Sequence, residues 1–179
     1  MKIIFETTRM YLRELTENDY NDLCEILQDK NVMYAYEHSF SDAEVKAWYD
    51  KQIGWYNEYG YGLWATIDKK NKEFLGQCGL TLQKIDGKEY LEIGYLFKKK
   101  HWSKGYATEA VLACRNYAFT ELKADKVYSI IRTNNVLSQN VAKRAGMKIE
   151  GEIIKHYYNM DMPHYIYAIE APGNPGPPV

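Results

Sequence analysis

From Gly62 to Phe97 the chain alternates apolar and polar positions in three runs, "GLWATID", "EFLGQCGLTLQ" and "EYLEIGYLF". A period of two puts successive side chains on opposite faces of a sheet, so each run reads as a strand. Turn signals separate them at Lys69 to Lys72 and at Asp86-Gly87. Three strands joined by such short turns form an antiparallel meander.

Helical spacing flanks this core. Ala107, Ala110, Val111, Cys114, Ala118 and Phe119 recur along one helix face to about Leu122, and the small residues permit close packing on a sheet. Upstream, "MYLREL" (Met10 to Leu15) alternates as a strand, and Thr16 caps a helix through "ENDYNDLCEILQD". Ser41-x-x-Glu44 is a capping box opening a second helix that carries Val45, Trp48, Tyr49, Ile53 and Tyr56. Downstream, "KVYSIIRT" reads as a strand, "VLSQNVAKRAG" as a short helix ended by Gly146, and "MKIEGEIIKHYY" and "HYIYAIE" as final strands. The pattern predicts a mixed α/β sheet in one domain spanning residues 1–170. Four of the five prolines crowd into "APGNPGPPV", residues 171–179, which is expected to be a disordered tail.

Composition excludes several classes. A net charge of -1 argues against a broad nucleic-acid-binding surface, and no run of about 18 apolar residues is present to cross a membrane. The N-terminal stretch lacks a signal-peptide pattern, so a soluble cytoplasmic protein is expected. Cys24, Cys78 and Cys114 show neither disulfide nor metal-ligand spacing, so no metal is expected and buried thiols are the simplest reading. Seventeen tyrosines are many, and some should line a groove, where an apolar ring with a polar tip is useful.

The segment Ser103-Lys104-Gly105-Tyr106-Ala107 opens a helix without a side chain to accept from its first free N–H groups. Small residues and a positive dipole end make such a start suitable for an anion, and Lys98, Lys99, Lys100, His101 and Lys104 add positive charge beside it. The spacing is neither that of a P-loop nor that of a dinucleotide fingerprint.

"LEIGYLFKKKHWSKGYATEA" resembles the cofactor segment of the GNAT acyl-coenzyme A-dependent N-acetyltransferases. "ETTRMYLRELTENDYNDL" is similar to the family's opening strand and helix, and "NNVLSQNVAKRAGMKIEGEI" to its later N-x-x-S region. Together these cover residues 6 to about 158, and the subgroup most resembled is the Rim-type ribosomal-protein N-terminal acetyltransferases. The resemblance implies an α/β (α+β) fold with a mostly antiparallel sheet flanked by helices, and splayed strands that hold acetyl-CoA. Trp102 stands at the first position of the family loop [QR]-x-x-G-x-[GA], with Gly105 and Ala107 at the small positions. By this likeness the backbone of Ser103, Lys104, Gly105, Tyr106, Ala107 and Thr108 holds the coenzyme pyrophosphate, while Tyr95, Leu96 and Phe97 flank the pantetheine arm.

Acetyl transfer to an amine needs a neutral amine, an oxyanion donor and a partner for the departing thiolate. The resemblance makes Glu92 the base, with Glu89 as competitor, and Ser138 the donor to the coenzyme sulfur. Asn135 then orders the loop or contacts the pantetheine arm. A backbone N–H near Leu96 or Phe97, on a bulged strand, is the expected oxyanion donor. Tyr34, Tyr36, Glu37 and Tyr157 are candidates for the acceptor groove, whereas His156 and His164 read as surface residues. An α-amine with a pKa near ~7.8 is neutral far more often at pH 7 than a Lys amine near ~10.4, which favours a protein N-terminus as acceptor. A polyamine or other small amine, including an antibiotic, is the alternative; a non-catalytic acyl-CoA sensor is the alternative of another class. The chain lacks the family's closing acidic run, and monomer and homodimer are equally compatible with the sequence.

Overall fold

The computed structural model describes residues 2–173, so the tail expected to be disordered lies, from residue 174 onward, outside the described residues. The strands are β1 (Ile3–Glu6), β2 (Met10–Arg13), β3 (Leu63–Asp68), β4 (Phe74–Ile85), β5 (Lys88–Phe97), β6 (Lys126–Arg132), β7 (Lys148–Tyr157) and β8 (Met160–Glu170). They form one sheet in the order β1-β2-β3-β4-β5-β6-β8-β7. Every neighbouring pair is antiparallel except β5 with β6. The helices are α1 (Tyr20–Leu27), α2 (Asp42–Tyr59), α3 (Tyr106–Thr120) and α4 (Val136–Arg144).

The meander is present as β3-β4-β5. Its second turn has both Asp86 (φ 50°) and Gly87 (φ 75°) in the left-handed region between the paired Ile85 and Lys88. Two left-handed residues match the twist of a two-residue hairpin, and Gly and Asp tolerate that conformation best. The α2 capping box is also present: Glu44 N donates to Ser41 Oγ at 3.3 Å, and Ser41 N to Glu44 Oε2 at 2.8 Å. Before α1, Asp19 accepts from Thr16 N at 2.7 Å and is held by both terminal nitrogens of the Arg13 guanidinium.

Two cores sandwich the sheet. Trp64, Cys78, Leu80, Ile93 and Val127 pack with Ala110, Val111, Cys114 and Ala118 of the small-residue face of α3. On the opposite face Ala65 and Ile67 meet Leu23, Ile26, Leu27 and Val45 from α1 and α2. Each fully buried Leu, Ile or Val among them contributes roughly 2 kcal/mol relative to exposure. Cys78 and Cys114 are buried and free, and Cys24 is partly so. No helix among the described residues is long and apolar enough to cross a membrane.

Two elements depart from the sequence reading. β1 was not anticipated, because its consecutive Ile3, Ile4 and Phe5 carry no period-two signal. The last hairpin turns at Tyr158 (φ 52°) and Asn159 (φ 57°), so β8 starts at Met160 instead of near His164. That turn contains no glycine and was therefore silent.

One joint positions everything that follows. β5 and β6 share the single register pair Glu92 with Tyr128, after which the two strands part.

Candidate active site

The parting leaves ladder groups that need other partners. Glu92 supplies one: its Oε1 accepts from Ile130 N at 3.2 Å, standing in for the carbonyl a continuous ladder would offer, and its Oε2 accepts from Thr81 Oγ1 at 3.1 Å. Burial pushes the Glu92 carboxyl above the usual range, opposed by the positive charge of Lys155 and by these hydrogen bonds. A carboxyl so placed is suited to take a proton near neutral pH.

β5 pairs with β4 in unbroken register from Gly76 opposite Phe97 to Ile85 opposite Lys88. The bulge expected there is absent. Lys98 N donates to Leu75 O across this pair, and Leu80 N points the other way, to Gly62 O on the β3 side. Antiparallel alternation then aims the Leu96 N–H at β4 and the Tyr95 and Phe97 N–H groups toward the side from which β6 has departed. Of the two expected oxyanion donors, only Phe97 faces the opening, and Tyr95 joins it.

Across the opening lies the start of α4. Asn135 Oδ1 caps it, accepting from Ser138 N at 3.1 Å, and also accepts from Tyr34 Oη at 2.7 Å. Tyr95 Oη donates to Ser138 O at 2.8 Å. Asn135 is thus both helix cap and anchor for the loop carrying Tyr34. The Ser138 hydroxyl also lies within hydrogen-bonding reach of the Tyr95 hydroxyl, and Ser138 lines the cavity.

At the other end of the opening α3 begins. Gly105 is its N-cap residue at φ 80° with no side-chain cap, and a Cβ added there would meet Arg9 Nη2 at 3.3 Å. Trp102 Nε1 donates to Phe97 O at 2.9 Å, fixing the approach to the helix. Three members of the basic cluster read from sequence are committed to carboxylates elsewhere. Lys98 is buried between Asp22 (2.5 Å) and Glu25 (2.6 Å), and Lys100 and His101 share Glu73. Lys104 offers the loop only its carbonyl, which accepts from Arg9 Nη1 at 2.9 Å. Arg9 reaches this helix start: its Nε pairs with Glu109 at 2.6 Å and its guanidinium lies 4.3 Å from the Tyr106 ring centroid.

A cavity of about 1080 Å³ connects these parts. Of the residues singled out from sequence, Glu92, Tyr95, Leu96, Phe97, Trp102, Ser103, Gly105, Tyr106, Ala107, Thr108, Asn135, Ser138, Tyr34, Tyr36 and Tyr157 line it. Two do not. Lys104 projects to solvent, and Glu37, in a left-handed conformation at φ 54°, pairs with Arg132 at 2.7 Å instead of facing an acceptor.

His164 corrects the sequence reading in the other direction. It is half-buried and lines the cavity, and its Nδ1–H donates to Met162 O at 2.7 Å, leaving Nε2 as a lone-pair acceptor. Burial lowers its pKa, with Lys155 and Arg132 acting in the same direction, so the ring is neutral at pH 7. Lys155 also lines the cavity. Arg9, Lys155 and His164 were missed because each reaches the site through pairing with distant strands, which no local spacing records. Tyr158 stacks on His38 at 4.4 Å and closes this end with Tyr36 and Tyr157. No cluster of metal-ligating side chains occurs among the described residues.

Residues 9–148 match the family model described as "Acetyltransferase (GNAT) domain". The uncharacterised Bacillus subtilis protein YkkB is 38% identical over 154 residues, covering 83% of this chain and 87% of that one. The uncharacterised B. subtilis N-acetyltransferase YnaD is 30% identical over 146 residues, covering 81% and 82%. A GNAT-family acetyltransferase from Bacillus anthracis superposes with a TM-score of 0.79 at 26% identity over 95% of this chain and 98% of that one. Further away stand RimL, a ribosomal alpha-N-protein acetyltransferase solved with coenzyme A (18% identity, TM-score 0.74), and the spermidine N(1)-acetyltransferase of Escherichia coli (23% identity). With the family model spanning residues 9–148, most of the domain, this chain belongs to the GNAT family of acetyl-CoA-dependent acetyltransferases.

Proposed function

We propose that the enzyme acetylates an α-amino group, that of a protein or peptide N-terminus, with Glu92 as the base and Ser138 as the donor to the departing sulfur. The observation that carries this reading is the partly buried Glu92 carboxylate at the point where β5 and β6 part, inside one cavity with the start of α3.

The residues suit acetyl-CoA. The first N–H groups of α3 lack a side-chain cap, Gly105 leaves no Cβ in the approach, and Arg9 brings positive charge to the same loop. Bound there, acetyl-CoA supplies an activated acetyl thioester. Glu92 takes the ammonium proton at its carboxylate, directly or through one water, and makes the amine a nucleophile. The N–H groups of Tyr95 and Phe97 face the gap and stabilise negative charge on the acyl oxygen. The Ser138 hydroxyl donates to sulfur as the thiolate leaves. Tyr95 Oη and Asn135 hold the Ser138 backbone, and through it the hydroxyl, in place. Three free cysteines and a coenzyme of intermediary metabolism fit a cytoplasmic setting.

A polyamine acceptor fits less well. The cavity is lined by two carboxylates, Glu92 and Glu109, and by Arg9, Lys51, Arg132, Arg144 and Lys155, and Glu109 is occupied by Arg9. A multiply charged amine would meet more cations than carboxylates.

The test is acetyl transfer from acetyl-CoA to N-terminal peptides, spermidine and small amines, with products identified by mass spectrometry. Peptide α-amino acetylation is the expected result, and Glu92→Gln should lower kcat by about 10²-fold or more with acetyl-CoA affinity unchanged. In the wild type kcat/KM should rise with pH as the Glu92 carboxyl ionises, and that limb should vanish in the variant. Exclusive acetylation of spermidine would replace the acceptor, and an unchanged kcat in Glu92→Gln would remove Glu92 from its role.

A further inference from the structure

Sheet register places Glu92, Arg132, His164 and Lys155 on one face. Arg132 is opposite His164, His164 is opposite Ile153, and Lys155, two residues along β7, is opposite Met162, two residues before His164 on β8. Directly opposed residues share a face and the side-chain period is two, so all of these project the same way. Glu92 is opposite Tyr128, which has the same parity as Arg132 on β6. The face runs from one carboxylate on β5 to a lysine on β7.

The cations along it differ in one respect. Arg132 is committed to Glu37 Oε1 at 2.7 Å and to Ala35 O at 3.0 Å. Lys51 lies over the Trp55 ring at 4.6 Å. Lys155 is half-buried in the cavity wall and forms no ion pair with any described residue. The acid nearest in the hairpin, Asp161, is opposite His156, on the other face, and pairs with it at 2.5 Å. A partly desolvated ammonium without a counter-ion is an ion pair with one member missing. Its charge is felt as far as Glu92, where it opposes the rise that burial causes.

We propose that the missing member belongs to the acceptor: the substrate carries a carboxylate within a few bonds of its reacting amine, and Lys155 receives that carboxylate while the amine sits at Glu92. This rests on the reading of Glu92 as the place where the amine is delivered. Such an acceptor is dipolar, its ammonium toward the carboxylate and its carboxylate toward the ammonium of the site. Neutral His164 lies between them, and its free Nε2 accepts from the substrate without adding positive charge. The carboxylate has two sources with the same chemistry: the α-carboxylate of a free amino acid, or the side chain of an acidic residue beside a peptide N-terminus.

Matched pairs of acceptors test it. Free amino acids are compared with their amides, and C-terminally amidated peptides beginning Ala-Glu are compared with those beginning Ala-Gln. The wild type should prefer the carboxylate member of at least one pair by about tenfold or more in kcat/KM, and the responding pair identifies the source. Lys155→Met should bring that ratio to within about twofold of unity, and Lys155→Arg should restore most of it. Glu92→Gln should lower turnover of both members and leave their ratio intact, so a failure of the base assignment is told apart from a failure of this one. Binding of the same pairs to the coenzyme A complex by calorimetry gives a readout independent of turnover. Equal affinity for both members of both pairs in the wild type overturns the proposal. So does a Lys155→Met variant that loses activity equally on both members, which would mean that Lys155 only tunes Glu92.

Discussion

At the α3 end of the cavity the lining residues Trp102, Ser103, Gly105, Tyr106, Ala107, Thr108 and Glu109 follow one another almost without a break, whereas at the hairpin end Tyr34, Tyr36, Arg132, Lys155 and His164 come from four separate parts of the chain. The first end is one loop and one helix turn, its shape set by φ values and a few short contacts. The second exists only after β6, β7, β8 and the loop before α2 have come together. Under the proposed function the end written locally is the one for a fixed coenzyme, and the end for a variable acceptor is assembled from elements that can change separately.

The comparison fails if the two ends do not respond separately. Gly105→Val is the strongest probe of the first: a β-branched residue at φ 80° is strained, and its Cβ would press on Arg9. Left-handed backbone costs such a residue roughly 1–2 kcal/mol, so the KM for acetyl-CoA should rise by about tenfold while the acceptor KM stays within twofold. An equal rise in both constants would show a single cooperative site. Glu37→Gln probes the second end more gently. It releases Arg132 from its carboxylate partner and lets it compete with Lys155, so acceptor KM should shift by about threefold with acetyl-CoA KM flat. The smallest effect concerns stability at the joint between the ends. The Glu92 pKa is raised on folding, so its favourable contribution is full below the ordinary carboxylate pKa and is lost as pH rises through the folded value. At pH 7.5 Glu92→Gln should therefore melt about 1–3 °C above the wild type, and at pH 4 the difference should disappear; a variant that melts lower at pH 7.5 would mean that the carboxylate's hydrogen bonds outweigh its burial.

The same division explains what could be read from sequence. The turn at Asp86-Gly87, the box at Ser41 and Glu44, and the run from Trp102 to Thr108 are local signals, and the structure has the expected element at each. The parting at Glu92 followed from a resemblance, not from spacing. Lys98 misled because a run of lysines reveals charge but not partners, and its partners Asp22 and Glu25 lie more than seventy residues away. Glu37 misled for the same reason, since Arg132 claims it from β6. Arg9, by contrast, sat in plain view in "TTRMYL", but only tertiary packing brings it to Glu109 and the carbonyl of Lys104.

The lone pairing of Glu92 with Tyr128 has a mechanical side as well. With one register pair between them, β1 to β5 form one plate and β6, β8 and β7 another, joined at Glu92 and open beyond it. A ligand seated in that opening would bridge the two plates, and under the proposed function that ligand is the acetyl donor. Lys155 and His164 sit on the second plate, so under the proposed function a donor that bridges the plates would also couple the acceptor end to the coenzyme end.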